Sequence, residues 1–441
     1  MNPIQVAVPS DLQRIYRRDS TLRRSGLLLF GIGVVIFLAG ATGIFSSLPL
    51  LYSLCSFGLT TAGALVYIHS AKNERRPGID HDGIMFHGLK NRNAWAWVLG
   101  VAITLFYVLL YWFPSTLEHM TAAVDPISRL LRGKPASHWF LYGTLYTQAM
   151  IVMGVRMLIK YRHSPYQTVR TISVIFFQLI FAFLIPSFLV LLNKPEFYFH
   201  YFWPLQYNYL FPSKLSVLLT DTSRLVVFMG FWTIAISIVA VPVLTFFFGK
   251  RWYCSWVCGC GGMAETLGDP WRQLSDKRLT AWRIERWMIH GVLVFVTVTT
   301  ALLWIDLAMG GEVLGDISYG FRRVYGFLIG AMFAGVIGMG FYTVMGSRVW
   351  CRFGCPQAAI LGILQKYFSR FRITTNGSQC ISCGNCSTYC EMGIDVRWYA
   401  QRGQDVVRAS CVGCGVCSSV CPRGVLNLEN APRSTRMLEP R

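Results

Sequence analysis

Cys380-Ile-Ser-Cys383-Gly-Asn-Cys386-Ser-Thr-Tyr-Cys390 and Cys411-Val-Gly-Cys414-Gly-Val-Cys417-Ser-Ser-Val-Cys421-Pro422 are two copies of one spacing, Cys-x-x-Cys-x-x-Cys-x-x-x-Cys. Three thiolates on one tight loop grip three corners of an iron–sulfur cube, and the fourth ligand must come from elsewhere. In two-cluster proteins with this run, the fourth Cys of each copy crosses to the other cluster. The spacing therefore assigns Cys380, Cys383, Cys386 and Cys421 to one [4Fe-4S] cluster. Cys411, Cys414, Cys417 and Cys390 take the second. Gly384, Gly413 and Gly415 let the backbone approach and aim amides at the sulfurs. Zinc ribbons use two well-separated Cys pairs instead. A disulfide framework belongs to small secreted domains.

The surrounding chain sets the context. It has 441 residues, 54% hydrophobic and only 14% charged, where about 25% charged is usual for a soluble protein. The reading is an integral membrane protein. The net charge of +20 does not indicate nucleic acid, because the basic residues sit in short loops between apolar runs. Twelve of the 14 Cys fall in four groups of chemical spacing, leaving Cys55 and Cys260 over. Cluster thiolates need a reducing compartment. The first apolar run is long and lacks a small-residue cleavage site, so no cleavable signal peptide is expected.

Apolar runs of about 20 residues, the length that spans a bilayer as helix, lie near 26–46, 48–68, 95–113, 138–159, 171–193, 225–248, 288–307 and 324–345. The first two form a tight helical hairpin. The fold class is an all-α polytopic membrane protein of about eight transmembrane helices, with a small C-terminal α+β domain for two [4Fe-4S] clusters. With the N-terminus inside, the inner segments before the last span hold 20 Lys and Arg and the outer loops 8. The positive-inside rule therefore puts both termini in the cytoplasm of a bacterium, and the chain in its inner membrane as a multi-pass protein. Thiolate chemistry demands the same face. The expected division is 1–224 for the N-terminal membrane region, 225–372 for a membrane region with Cys repeats, 373–425 for the cluster domain and 426–441 for a tail. The segment 78–88 reads as a β-hairpin. The aromatic loop 194–224 reads as an interfacial belt, or as a lip for quinone. Trp271 to Trp287 reads as a helix lying on the inner surface.

A second constellation follows two of the spans. Lys250-Arg251-Trp252-Tyr253-Cys254-Ser255-Trp256-Val257-Cys258 aligns with Ser347-Arg348-Val349-Trp350-Cys351-Arg352-Phe353-Gly354-Cys355, a repeat at 97 residues. The i, i+4 spacing puts both thiols of a pair on one side of a helical turn, and both pairs emerge on the same face. Cys254, Cys258, Cys351 and Cys355 can form a third metal site such as an iron–sulfur cluster, or two redox dithiols, or four packed thiols without chemistry. His69, His138, His200 and His290 lie near span edges without an obvious haem pair and read as interfacial. Arg156 and Asp306 lie within spans, where ionisable groups are costly and often functional; Asp306 is expected to snorkel outward. The run Gly335 to Gly346 reads as close helix packing.

Over roughly 225–425 the chain resembles membrane polyferredoxins related to the ferredoxin-type subunit of the periplasmic nitrate reductase system. The same motifs occur in the nitrous oxide reductase regulator and in the copper-handling oxidase-assembly ferredoxin. Cys351-x-x-x-Cys355-Pro356 and Cys421-Pro422 match that pattern. Gly259 and Glu391 stand where it has Pro. The resemblance implies electron relay between the quinone pool, or a cytoplasmic ferredoxin-like donor, and partner redox subunits, with membrane lipid around the helices. Two other roles fit the same residues: a maturation factor for a respiratory metalloenzyme, and a structural anchor for a redox complex. No dinucleotide fingerprint or phosphate loop is found, and no residue is assigned to catalysis.

Overall fold

A computed structural model describes residues 10–71, 94–310 and 315–430. The β-hairpin expected at 78–88 lies outside them. Among the described residues, seven helices are long and apolar enough to cross a membrane: α1 (Ser20–Thr42), α2 (Pro49–Ser70), α3 (Ala94–Trp112), α5 (Pro165–Leu191), α6 (Arg224–Phe248), α7 (Leu279–Ala308) and α8 (Gly315–Gly340). The eighth expected span is also a helix, α4 (His138–Lys160), but it is more polar. Its polar groups face protein. Gln148 donates to Thr60 Oγ1 (2.9 Å) and Thr61 Oγ1 (2.8 Å) of α2, and Arg156 pairs with Asp269 at 2.9 Å. At about 1.5 Å per residue α4 is long enough to cross.

The expected hairpin of α1 and α2 is present, and Tyr52 OH donates to Phe37 O at 2.6 Å across it. In α5 and α6 the backbone widens to i→i+5 turns over Phe177–Leu184 and Ile236–Ala240, just ahead of Pro186 and Pro242. Proline lacks an N–H and its ring collides with the carbonyl four residues back, so the preceding turn opens. The Gly335 to Gly346 run packs closely as expected. A Cβ on Gly335 would meet Tyr111 Cε2 at 2.6 Å, and one on Gly338 would meet Trp350 Cβ at 2.9 Å.

Four expectations are corrected. Trp271 to Trp287 is not one separate helix: Asp269–Leu274 is a short 3-10 helix, and residues 279–287 are the largely exposed first turns of α7, since nothing breaks the helical pattern after Arg278. The aromatic loop is not an exposed belt. Phe197, Phe202, Tyr209 and Phe211 are buried, and Phe202 packs at a tilt on Tyr253, ring centroids 4.5 Å apart. Irregular backbone of this kind is tolerated inside a helical bundle when protein covers it. His200 is buried with that loop rather than interfacial, and burial pushes its pKa down to about 3. Asp306 does not snorkel. It is buried, with Ser318 Oγ at 3.5 Å.

After α8, a short helix Val349–Phe353 leads into α9 (Pro356–Tyr367) and then the cysteine-rich region. That region is closed by an antiparallel pair, β1 (Arg372–Thr375) and β2 (Leu426–Glu429), in register Ile373↔Leu428 and Thr375↔Leu426. One buried core runs from Tyr253, Cys254, Trp350 and Cys351 to Ile373, Val412 and Leu426. The helical body and the cysteine-rich region are therefore packed as one unit.

Candidate iron–sulfur and thiol centres

The two copies of the cysteine run fold alike. Gly384 (φ 79°) and Gly415 (φ 73°) cap the short helices Asn385–Thr388 and Val416–Ser419. Beyond the fourth Cys, Ile394 N–H points to Cys390 Sγ and Val425 N–H to Cys421 Sγ, both at 3.4 Å. Amide donors of this kind favour a thiolate. Burial pushes the Cys386 thiol up to about 12, and the neighbouring thiols of Cys421 and Cys383 add to the rise. Burial also raises Cys417, with Cys414, Cys411 and Cys390 adding to it. Cys411 is pushed up to about 11 by burial, and Cys390 again contributes. The neighbours of Cys386 and Cys417 are thus drawn from both runs. Thiols that crowd one another this way stay protonated unless a bound cation offsets their charge.

The two loops differ in what holds them. Each carbonyl from Cys411 to Cys414 accepts a bond from the helical body. Gln365 Nε2 donates to Cys411 O (2.7 Å), Ser255 Oγ to Val412 O (2.9 Å) and Tyr166 OH to Gly413 O (2.8 Å). Gln167 Nε2 and Arg170 Nη1 both donate to Cys414 O at 2.8 Å. With the carbonyls turned to the body, the Gly413 N–H faces the Cys411 sulfur, while the Cys411 N–H bonds Arg408 O at 3.1 Å. Gly413 (φ 63°) also leaves no room for a side chain, since a Cβ would meet Arg251 Cβ at 2.6 Å. The first loop is tied to its own region, where Gln401 Nε2 donates to Ser382 Oγ at 2.9 Å, and Cys383 is exposed.

The Cys-x-x-x-Cys pairs form matching elbows, not single helical turns. The expected i, i+4 helical face is corrected here. Cys254 ends the short helix Arg251–Cys254, while Cys258 is extended (φ −66°, ψ 131°) and begins Gly259–Glu265. Cys351 lies in Val349–Phe353, while Cys355 is extended (φ −82°, ψ 110°) and begins α9. Both second cysteines reach back five residues: Cys258 N–H bonds Tyr253 O at 2.8 Å, and Cys355 N–H bonds Trp350 O at 3.0 Å. Ala358 N–H points to Cys355 Sγ at 3.4 Å. Positive φ at Gly249 (67°) and Gly346 (95°) starts each elbow.

The elbows converge. Burial raises Cys355, and Cys351, Cys254 and Cys258 add to that rise; Cys254 is pushed up to about 12 by burial, with Cys258 and Cys351 adding. The fifth thiol, Cys260, joins them. It hydrogen-bonds Cys258 and, as the chief cause, brings that thiol down to about 7. Cys260 carried no spacing signal, because Cys258-Gly259-Cys260 has no counterpart in the second elbow. Gly259 faces Tyr146 OH (2.7 Å), Gln178 Oε1 and Tyr201 OH (both 2.8 Å), measured from where a Cβ would stand. Proline there would collide with all three.

Among the described residues, no group of three or more His, Cys, Asp or Glu side chains closes onto one ion. A mononuclear site needs its ligands at about 2.0–2.3 Å from one metal.

A buried ionic string joins the elbows to the cysteine-rich region. Arg348 pairs with Glu265 and, at 2.8 Å, with Glu391, and its Nη1 lies 3.6 Å from Cys351 Sγ. Glu391 also meets Arg272 at 3.0 Å, and Arg272 meets Asp269 at 3.3 Å. Lys160 reaches Asp269 at 2.6 Å. Arg170, which holds Cys414 O, pairs with Glu265 at 3.0 Å. Glu391, the residue standing in place of Pro after Cys390, is thus a docking carboxylate.

Residues 374–428 match the 4Fe-4S dicluster domain family, and residues 230–279 and 325–375 match the 4Fe-4S binding domain family, once at each elbow. The chain carries 4Fe-4S ferredoxin-type domains. Among similar proteins are the putative electron transport protein YccM of Escherichia coli (strain K12) and the methylamine utilization ferredoxin-type protein MauN of Paracoccus denitrificans (strain Pd 1222). The first is 27% identical over 162 residues, covering 33% of this chain and 43% of YccM. The second is 26% identical over 208 residues, covering 43% of this chain and 67% of MauN. The chain thus spans less than half the length of YccM. No solved structure matches. The dicluster domain and the elbow domains account for the cysteine-bearing half of the molecule; the helices before 230 lie outside both matches.

Proposed function

We propose that this chain relays electrons in a bacterial inner membrane, with both termini cytoplasmic. Its ferredoxin-type domain would take electrons from a soluble donor, and a quinone or a partner redox subunit would exchange them at the membrane. Cys380, Cys383, Cys386 and Cys421 would hold one [4Fe-4S] cluster, and Cys411, Cys414, Cys417 and Cys390 the other. Cys254, Cys258, Cys351 and Cys355 would hold a third redox centre. Bound clusters supply one-electron chemistry. The residues do the rest: the body side chains clamp loop 411–414 against the elbows, and Arg348 bridges Cys351 to Glu391, next to Cys390. That bridge is the observation that carries the reading, because the end of the first cysteine run, at Cys390, and the elbow thiol Cys351 share one buried ionic contact.

A cavity between α7 and α9 supports the membrane end of the relay. Lys250, Trp282, His290 and Tyr367 line it, and Cys351 lies on its wall. Donors and aromatic faces of that kind suit a quinone headgroup. The kinship with nitrate-reductase-type polyferredoxins belongs to this proposal; the names of YccM and MauN favour electron transport by a ferredoxin-type protein and do not mention nitrate.

Cys351→Ala tests it. Anaerobic protein should keep the iron, sulfide and EPR signals of the two domain clusters yet lose quinol-dependent reduction. Full quinol-dependent reduction in that variant would remove the elbows from the relay. A second reading, a maturation factor, is favoured by the Cys258–Cys260 contact, since a fifth thiol suits metal or dithiol handling. In that case metal would bind at the elbows and turnover would be slow.

A further inference from the structure

The two cysteine runs are alike in fold and opposite in setting, and that asymmetry points to a docking surface. Loop 411–414 is covered by the helical body, while loop 380–386 faces outward with Cys383 exposed. Around it lie Ile381, 58% exposed, and Trp398, 43% exposed. Large apolar side chains are not left beside a redox loop to stabilise the fold. They resemble the centre of a recognition patch, where one or two aromatic or aliphatic anchors sit inside a polar rim.

The rim is basic. Arg402 lies over the Trp398 ring at 4.2 Å from its centroid. Arg397 Nη1 is 3.8 Å from where a Cβ on Gly384 would stand, so its guanidinium hangs over the loop. Arg423 is exposed two residues beyond Cys421, the thiol beside Cys386. Against these stands Asp395, whose carboxylate accepts from Ser387 Oγ at 2.6 Å. Three exposed guanidiniums against one engaged carboxylate select a negatively charged partner.

We infer that the Ile381–Trp398 patch with Arg397, Arg402 and Arg423 is the docking surface for an acidic, soluble one-electron carrier protein. The inference rests on the relay reading for its purpose, and it adds the partner's chemistry and the loop that the partner touches. Electron-transfer encounters use small interfaces, below about 1,200 Å², and gain speed from opposite charge. An apolar centre within a charged rim fits that requirement. The order of contact follows: the carrier meets loop 380–386, and loop 411–414 faces the elbows.

The test uses the full chain in nanodiscs, prepared anaerobically, with an acidic bacterial ferredoxin as probe. Two quantities are read: the Kd of the ferredoxin by thermophoresis, and the rate at which reduced ferredoxin bleaches the iron–sulfur absorbance. Binding to the wild type should weaken steeply between about 0.05 and 0.5 M salt. Arg397→Glu with Arg402→Glu should weaken it at least about tenfold at low salt and flatten the salt dependence. Trp398→Ala should weaken binding without altering its salt slope. Photoreduced deazaflavin, a small reductant with no need to dock, should bleach every variant at the wild-type rate, which also shows that the variants are intact. Arg129→Glu, on an exposed side chain far from the patch, should change nothing. A charge-reversed protein that binds ferredoxin as tightly as the wild type overturns the surface. So does weakening of equal size in Arg129→Glu. A wild type without iron–sulfur absorbance overturns the relay instead, and the Kd series still decides the surface.

Discussion

Asp269 is fully buried and meets three cations: Lys160 at 2.6 Å, Arg156 at 2.9 Å and Arg272 at 3.3 Å. Burial alone would resist its ionisation, but Lys160, Arg156 and Arg272 outweigh it and hold the carboxyl far below its ordinary value of 3.8. The folded pKa is the lower one. The stabilisation is therefore complete above about pH 4, the unfolded range, and is lost as pH falls further toward the folded value. Asp269→Asn removes the anion shared by Lys160, Arg272 and the partly exposed Arg156, at a cost of about 3–5 kcal/mol. Thermal melts in detergent should show the variant less stable at pH 7, with a flatter fall below pH 4 than the wild type. Glu391 obeys the same logic. It meets Arg272 at 3.0 Å and Arg348 at 2.8 Å, and Glu391→Gln should cost about as much. Glu391→Gln should also loosen the cluster beside it, read as faster loss of iron–sulfur absorbance on warming.

At the scale of elements, the decisive feature is a loop whose carbonyls are all taken. Gln365, Ser255, Tyr166, Gln167 and Arg170 hold Cys411 to Cys414 from three separate parts of the chain. Gly413→Ala adds a methyl at 2.6 Å from Arg251 Cβ and 2.9 Å from Phe371 Cε1, on a residue with φ 63°. Gly384→Ala shares the left-handed strain, but its methyl would meet only Arg397, at 3.8 Å. The strain alone costs about 1–2 kcal/mol, so Gly413→Ala should lower the melting temperature clearly more than Gly384→Ala. Equal losses would mean that loop 411–414 is not clamped. None of that clamp was legible in the sequence. Cysteine spacing is local chemistry and declares itself within eleven residues, as it did for both runs and for the elbows' offset. A glutamine that bonds a carbonyl across the fold has no local pattern. The elbows show the same limit from the other side. Their spacing announced paired thiols, but the break at Cys258 and Cys355 depends on backbone bonds to Tyr253 O and Trp350 O. Glu391 stood out as a departure from the proline pattern, yet its partners Arg272 and Arg348 could be found only in space.

For the whole molecule, the number of crossings decides which side each end occupies. Composition alone gives seven crossings among the described residues, because α4 is interrupted by Thr144, Thr147, Gln148 and Arg156. Seven would put the dicluster domain on the face opposite the start of α1. Packing argues for eight. The far end of α4 lies with the cysteine-rich region, where Met157 and Tyr161 pack on Tyr389, Val416 and Val420. Its near end lies with Arg132 and Glu196, beside a cavity lined by Trp139 and Tyr198. A helix surrounded by other helices does not need an apolar surface, since its hydroxyls and amides bond neighbours instead of lipid. That is why hydropathy undercounts here. Cysteine labelling with a membrane-impermeant maleimide tests the count. On the eight-crossing arrangement, a tag before Ser20 and Cys383 of apoprotein share one face, and Ser213→Cys, exposed on the short helix Pro212–Leu219 ahead of α6, labels from the other. Labelling of the N-terminal tag and of Ser213→Cys from the same side would reduce the crossings to seven. It would also place the acidic-carrier surface across the membrane from the chain's first residues.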